Sequence, residues 1–292
     1  MKALVVTNCA TAAFTTGLRV LFPQWEVKGA NLDVALRWLG EEPNEAFRTF
    51  LSAADLLLLG TENESAFREY APGKEVLSIP YFYFRGLHPD SFHLGVGDGI
   101  VPSVLGTGNL HARIAVSAYV LGLGESRTVA AFQANTYDRL GYFSLFEPEK
   151  RQLLDRFAST GIGLASAFER WRAKGVFLYT YNHPMPLVFN DILLEAVLGR
   201  LLDSSRRAWA EDALAAIPDY LEPSIRWPVY PEIAARHGLE AELHWRTGVS
   251  AGPITMTLAD FVARTFETLA RYPGLNADCI PAFDHCRAAL LA

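Results

Sequence analysis

The chain opens with apolar and polar positions arranged in two alternating periods. Short, largely apolar runs at Ala3–Thr7, Ala54–Gly60, Val76–Pro80 and Val176–Tyr181 predict short buried strands. Between and after them, apolar residues recur at helical spacing over Thr11–Leu21, Leu32–Leu39, Pro43–Leu51, His111–Leu121, Pro148–Phe157 and Leu187–Leu202. Strands alternating with helices predict an α/β fold, a mostly parallel sheet flanked by helices. Strand-like runs thin out after residue 100, and Asp260–Arg271 is the clearest late helix. The expected organisation is a single α/β domain over 1–292, with a core at about 1–203 and a large helical C-terminal elaboration at about 204–292. The segment 220–234, YLEPSIRWPVYPEIA, carries three prolines and predicts an extended, tethered connection. The glycine-rich stretch 95–108 predicts a long loop.

This layout directs attention to the ends of strands. In open parallel sheets ligands sit beyond the carboxyl ends, where the following helices begin. The first run ends in Thr7-Asn8-Cys9-Ala10. Free N–H groups at the start of the next helix favour a thiolate there, and they suit an oxyanion or a phosphate. A buried, inert strand-end thiol is the competing reading, since free cysteine is commonly a small core residue. The stretch SIPYFYFRGLHPD, 78–90, follows a strand with an aromatic wall and then Arg85, His88 and Asp90. An arginine beside aromatics suits a flat or phosphorylated ligand, whereas HPD is also turn sequence. His111 and Arg113 are expected in the first turn of a helix. Asn182-His183 closes the aromatic run FLYTY, so His183 is predicted at a strand end like that of Cys9. A cysteine within reach of a histidine makes a nucleophile and its base.

Composition narrows the classes. The 292 residues include 26 Lys plus Arg against 32 Asp plus Glu, a net charge of −6. No basic stripe marks a nucleic-acid or anionic-membrane surface. The three cysteines, Cys9, Cys279 and Cys286, are odd in number and widely spaced, which predicts free thiols in a reducing compartment. No zinc spacing, HExxH, phosphate-binding GxxxxGK[ST] loop or dinucleotide glycine fingerprint occurs, so no metal is expected. No apolar run nears the roughly 20 residues needed to span a bilayer. These features predict a cytoplasmic protein. They leave its oligomeric state open.

Taken in order, the blocks TNCA at 7–10, HPD at 88–90, LHARIAVSAYVLGL at 110–123 and NHP at 182–184 resemble the WcbI-type capsular polysaccharide biosynthesis proteins. PVYPEIAARHGL and LADFVARTF further on fit the same likeness, which extends over nearly the whole chain. The family is regarded as coenzyme-A-binding acetyltransferases. The resemblance implies coenzyme A or acetyl-CoA as acyl donor and a sugar or polysaccharide precursor as acceptor. It implies O-acetylation of a sugar hydroxyl. Cys9 and His183 are the expected catalytic residues, in one of two mechanisms: Cys9 takes the acyl group with His183 as base, or His183 or His88 deprotonates the sugar hydroxyl for direct attack and Cys9 lines the pocket. The resemblance singles out Asn8, His88, Asp90, His111 and Asn182 besides Cys9 and His183, and with Thr7, Ala10, Arg85 and Arg113, which the residue patterns add, these are expected around the coenzyme. The placement of the cysteine after the first strand is also similar to that of the nucleophile in SGNH-type hydrolases. The chain departs from the family where a Gly-Asn-Cys-Gln cluster is expected, having Thr7 for the glycine and Ala10 for the glutamine. A cysteine-dependent esterase or thioesterase, and a non-catalytic coenzyme- or glycan-binding protein, are the alternative functions.

Overall fold

The computed structural model describes residues 1–106, 108–248 and 252–292. Its contacts group into two compact units. The first comprises 1–83, 152–177 and 183–222, and the second 84–151, 178–182 and 223–292.

The first unit is built on β1 (Lys2–Thr7), α1 (Thr11–Leu21), β2 (Glu26–Asn31), α2 (Leu32–Leu39), α3 (Glu45–Ala53), β3 (Leu56–Gly60), α4 (Glu64–Tyr70) and β4 (Glu75–Ile79). The strands form one sheet in the order β2-β1-β3-β4, with all three pairings parallel. Register sets Thr7 beside Asn31 and Gly60 beside Ile79. Every residue of β3 is buried, and β1 is buried from Ala3 onward, as expected for central strands covered on both faces. On one face Leu4, Val6, Leu57 and Leu59 pack with Phe47, Phe50 and Phe67. At roughly 1.5–3 kcal/mol per fully buried large side chain, this layer is a main source of the unit's stability.

Several elements differ from the sequence pattern, among them the short helix α4 and the helices Ala165–Ala173 and Arg207–Ala215, which it does not predict. β2 was not predicted, because an edge strand buries only Val27 and Ala30 and shows no apolar run. Arg19 shields its outer edge by donating from Nε and Nη2 to the Val27 carbonyl at 3.0 and 2.6 Å. The run predicted as a strand at 176–181 contributes only Leu178–Thr180, outside the four-stranded sheet. A buried apolar run carries no information about which sheet it joins. The helix expected to continue to Leu202 stops at Val197, where Leu198 turns extended and Gly199 adopts φ 73°.

The second unit is mainly helical. Its helices include Arg113–Val120, Glu125–Ala131, Leu258–Leu269 and Phe283–Leu291. Thr257 and Asp260 form a reciprocal capping box at the start of Leu258–Leu269. The expected 95–108 loop instead contains a tight hairpin, Gly95–Val96 against Gly99–Ile100, turned at Gly97. Thr107, within that stretch, lies outside the described residues. The α/β architecture with a helical elaboration thus follows the predicted class.

The centre of the second unit is Asp90, fully buried. Its Oδ1 accepts from Tyr142 Oη at 2.6 Å and from the Ile114 amide at 3.0 Å, and its Oδ2 accepts from Tyr230 Oη at 2.6 Å. Burial pushes its carboxyl above the usual range, against these three hydrogen bonds and the nearby Arg113 charge. His88 is also enclosed, with Nε2 3.0 Å from the Trp227 carbonyl. Burial lowers it to about 4, from 6.5. Its folded form therefore stays neutral where the unfolded chain takes up a proton. The contribution of His88 to stability is complete above pH 6.5, and about 3 kcal/mol of it is lost as pH drops from 6.5 towards 4. Chemical denaturation at pH 7 and pH 4.5 measures this, and His88→Gln flattens the difference.

Candidate active site

Because the four strands run parallel, their carboxyl ends meet along one edge, and the first candidate residues stand there. Thr7 ends β1 almost fully buried. Its Oγ1 lies 3.0 Å from Thr11 Oγ1, which donates to the Thr7 and Asn8 carbonyls. Ala10 is the N-cap of α1 and has no capping side chain of its own. Asn8 braces the turn that precedes the helix and leaves the first helical amides without a side-chain cap. Its Oδ1 accepts from the Ala10 amide at 3.3 Å and from the Cys9 thiol at 3.6 Å. Thr7, Asn8, Cys9 and Ala10 are thus brought together as one strand-to-helix turn.

Cys9 is half-buried. Desolvation pushes its thiol up to about 11, and a hydrogen bond from its own backbone offsets this only in part. The sequence predicts the opposite shift, from the start of the helix. Here burial outweighs the helix end, so the resting group is a thiol.

Cys9 lines a narrow cavity of about 10 Å³, room for about a single water. Pro186, Phe189 and Asn190 form one wall, from the helix Pro186–Val197, which starts three residues after His183. Ile217 to Leu221 form the other. Gly17 lets that helix approach α1 closely, since a Cβ there would meet Leu193. Phe14 on α1 meets Phe189 edge-on at 5.6 Å. The segment 217–222 is held as a strap. Asp219 Oδ1 accepts from the Leu221 and Glu222 amides, and Tyr220 Oη lies 2.8 Å from Thr16 Oγ1 on α1. His183 is half-buried in the same unit.

The remaining candidates belong to the second unit. Asp90 and Arg113 are brought together, the Arg113 amide donating to the Asp90 carbonyl at 2.9 Å. His111 sits in the strand Leu110–Ala112 instead of a helical first turn, because Ala112 is the extended N-cap. Its Nε2 lies 3.0 Å from the Val101 carbonyl, and burial lowers its pKa. Arg85 is exposed, with its guanidinium 5.3 Å from the Tyr181 ring centre. Asn182 Oδ1 accepts from Thr180 Oγ1 at 2.8 Å.

Sequence reasoning missed a second group on the carboxyl edge. Tyr81 follows β4, and its ring lies so close to Gly60, the last residue of β3, that a Cβ there would overlap it. Asn63 Nδ2 donates to Tyr81 Oη at 2.5 Å. Burial first, then the charges of Glu62, Asp33 and Cys9, push the phenol up to about 12. The signal was present in GTEN, 60–63, a polar turn directly after the leucine run.

Polar side chains collected beyond the carboxyl ends of a parallel sheet are the general layout of α/β ligand-binding proteins. The chain belongs to the WcbI family: the sequence profile described as polysaccharide biosynthesis enzyme WcbI matches residues 2–201. A solved structure of WcbI, described as a novel polysaccharide biosynthesis enzyme, is similar at a TM-score of 0.68 and 16% identity. The likeness covers 99% of this chain and 98% of that one. That structure is described as the native protein without a disulfide bond between coenzyme A and one of its cysteines. Comparison with curated proteins returns no match. Among the described residues no helix is long and apolar enough to cross a membrane.

Proposed function

We propose that the protein is a coenzyme-A-dependent acyltransferase that O-acetylates a sugar hydroxyl during polysaccharide synthesis in the cytoplasm, with Cys9 as acyl carrier. The observation that carries this reading is the placement of the Cys9 thiol at a cavity on the carboxyl edge of the sheet. The solved WcbI structure, described as the native protein without a disulfide bond between coenzyme A and one of its cysteines, supports a coenzyme site beside a thiol. A thiol raised to about 11 needs a base at neutral pH, and His183 is assigned that role. Its imidazole takes the thiol proton as sulfur attacks the thioester carbonyl. The coenzyme leaves as a thiolate and takes that proton. The sugar hydroxyl then attacks the acyl-cysteine, gives its proton to His183, and Cys9 departs to recover it. The Asn8 amide and the N–H groups opening α1 stabilise the oxyanion in both halves.

Acetyl-CoA mixed with the enzyme and a polysaccharide precursor tests this reading. Coenzyme thiol released only in step with sugar acetylation is expected. Acetate formed equally fast without sugar identifies the esterase or thioesterase instead.

A cavity of about 10 Å³ cannot admit a pantetheine thioester, so turnover requires the 217–222 strap to lift. Tyr220→Phe removes its hydroxyl contact with Thr16. One such hydrogen bond is worth about 0.5–1.5 kcal/mol, so iodoacetamide labelling of Cys9 speeds up roughly two- to tenfold. Peptide mass spectrometry reads Cys9 apart from Cys279 and Cys286. An unchanged rate removes the strap from the account.

A further inference from the structure

A second and larger cavity, about 330 Å³, opens between the helices Ala165–Ala173, Pro186–Val197 and Arg207–Ala215. Asn190 lines both this groove and the cavity at Cys9. Its Nδ2 donates to the Leu214 carbonyl at 2.9 Å. Leu187, Leu194 and Leu214 give the groove an apolar floor, and its rim carries Arg170 and Lys174 opposite Asp191 and Glu211.

The charges on this rim balance. Arg170 pairs with Asp191 at 3.1 Å, and the Trp171 indole donates to the same carboxylate at 2.7 Å. Arg207 lies 3.6 Å from Glu211. The four rim charges sum to zero, so a phosphate or other anion entering here loses hydration without a net attraction in return, and the groove is a poor seat for the charged end of a coenzyme. A ligand dense in neutral hydroxyls suits it instead. Such a ligand can donate to Asp191 or Glu211, accept from Lys174, and lay its C–H face on the leucine floor.

The geometry points to this groove as the acceptor subsite, taking an uncharged glycosyl unit and excluding uronate or sialate units, with Lys174 and Glu211 as specificity-determining residues. The inference rests on the acyl-transfer reading, since Asn190 is a wall common to the subsite and the Cys9 cavity.

Saturation-transfer NMR on the full chain tests it with methyl glycosides of glucose, mannose, rhamnose and glucuronic acid, alongside calorimetric titration of coenzyme A. Transfer to the neutral glycosides, at least fivefold stronger than to the glucuronide, is expected. The pair Lys174→Ala and Glu211→Ala, both on exposed side chains, cuts that transfer at least threefold and leaves the coenzyme affinity unchanged. Circular dichroism confirms that the doubly substituted chain is folded. Absent transfer from every neutral glycoside, equal transfer from the glucuronide, or transfer indifferent to the two substitutions overturns the subsite. A fall in coenzyme affinity in the variant assigns the groove to the coenzyme and equally overturns it. Failure of the unsubstituted protein to bind coenzyme A is a separate result, which strikes the acyl-transfer reading itself.

Discussion

Cys9→Ala lowers kcat/KM for acetyl transfer by at least about 10³-fold, a loss of about 4 kcal/mol in transition-state stabilisation. The substitution removes the atom assigned to carry the acyl group and leaves the turn that holds it. Thr7, Thr11 and Asn8 keep their mutual hydrogen bonds, and the Ala10 amide keeps its acceptor. The melting temperature therefore stays close to that of the parent, and a steady-state assay beside a thermal scan separates lost chemistry from lost fold. Retained activity in this variant returns Cys9 to a lining role, with direct attack by the sugar hydroxyl. The pH dependence of labelling adds a second check. With the thiol raised to about 11, alkylation of Cys9 climbs with pH and reaches no plateau below that value. A plateau near neutrality contradicts the buried-thiol description.

Asp90→Ala destabilises the protein by about 3–5 kcal/mol, with guanidinium denaturation as the measurement. Truncation leaves the Tyr142 and Tyr230 hydroxyls and the Ile114 amide buried without their acceptor. Asp90→Asn, which keeps an acceptor oxygen, costs about 1–2 kcal/mol by the same reasoning. A loss under 1 kcal/mol in the alanine variant shows that this network is not what holds the second unit together. For HPD the sequence leaves two readings open, a plain turn or residues lining a ligand site. In the structure His88 and Asp90 are enclosed, and their hydrogen bonds run to Trp227, Tyr142, Tyr230 and Ile114.

The parallel core was legible because β1 and β3 are buried on both faces, and a doubly covered strand must be apolar at nearly every position. β2 was not legible because an edge strand buries one residue in two or three, and its free edge is shielded by Arg19 from another element. The Thr7–Ala10 turn could be found because a polar cluster interrupts an apolar run where a strand hands over to a helix. The polar turn GTEN marks the end of β3, but nothing local singles out Tyr81 within its aromatic run, nor Tyr220. Tyr81 reaches the edge through the close approach that Gly60 permits, and Tyr220 closes on Thr16 across 204 residues of sequence. The direction of the Cys9 shift was missed for a related reason. A helix start is local and visible in sequence, whereas the desolvation that overrides it comes from Phe189, Ile217 and Leu221, far along the chain.

The most direct test mixes the protein with acetyl-CoA in the absence of any sugar and quenches it in acid for peptide mass spectrometry. One acetyl group on the peptide holding Cys9, lost when a glycan acceptor is added before quenching, is the predicted result. Product formed with a sugar while Cys9 is never found acetylated contradicts the account.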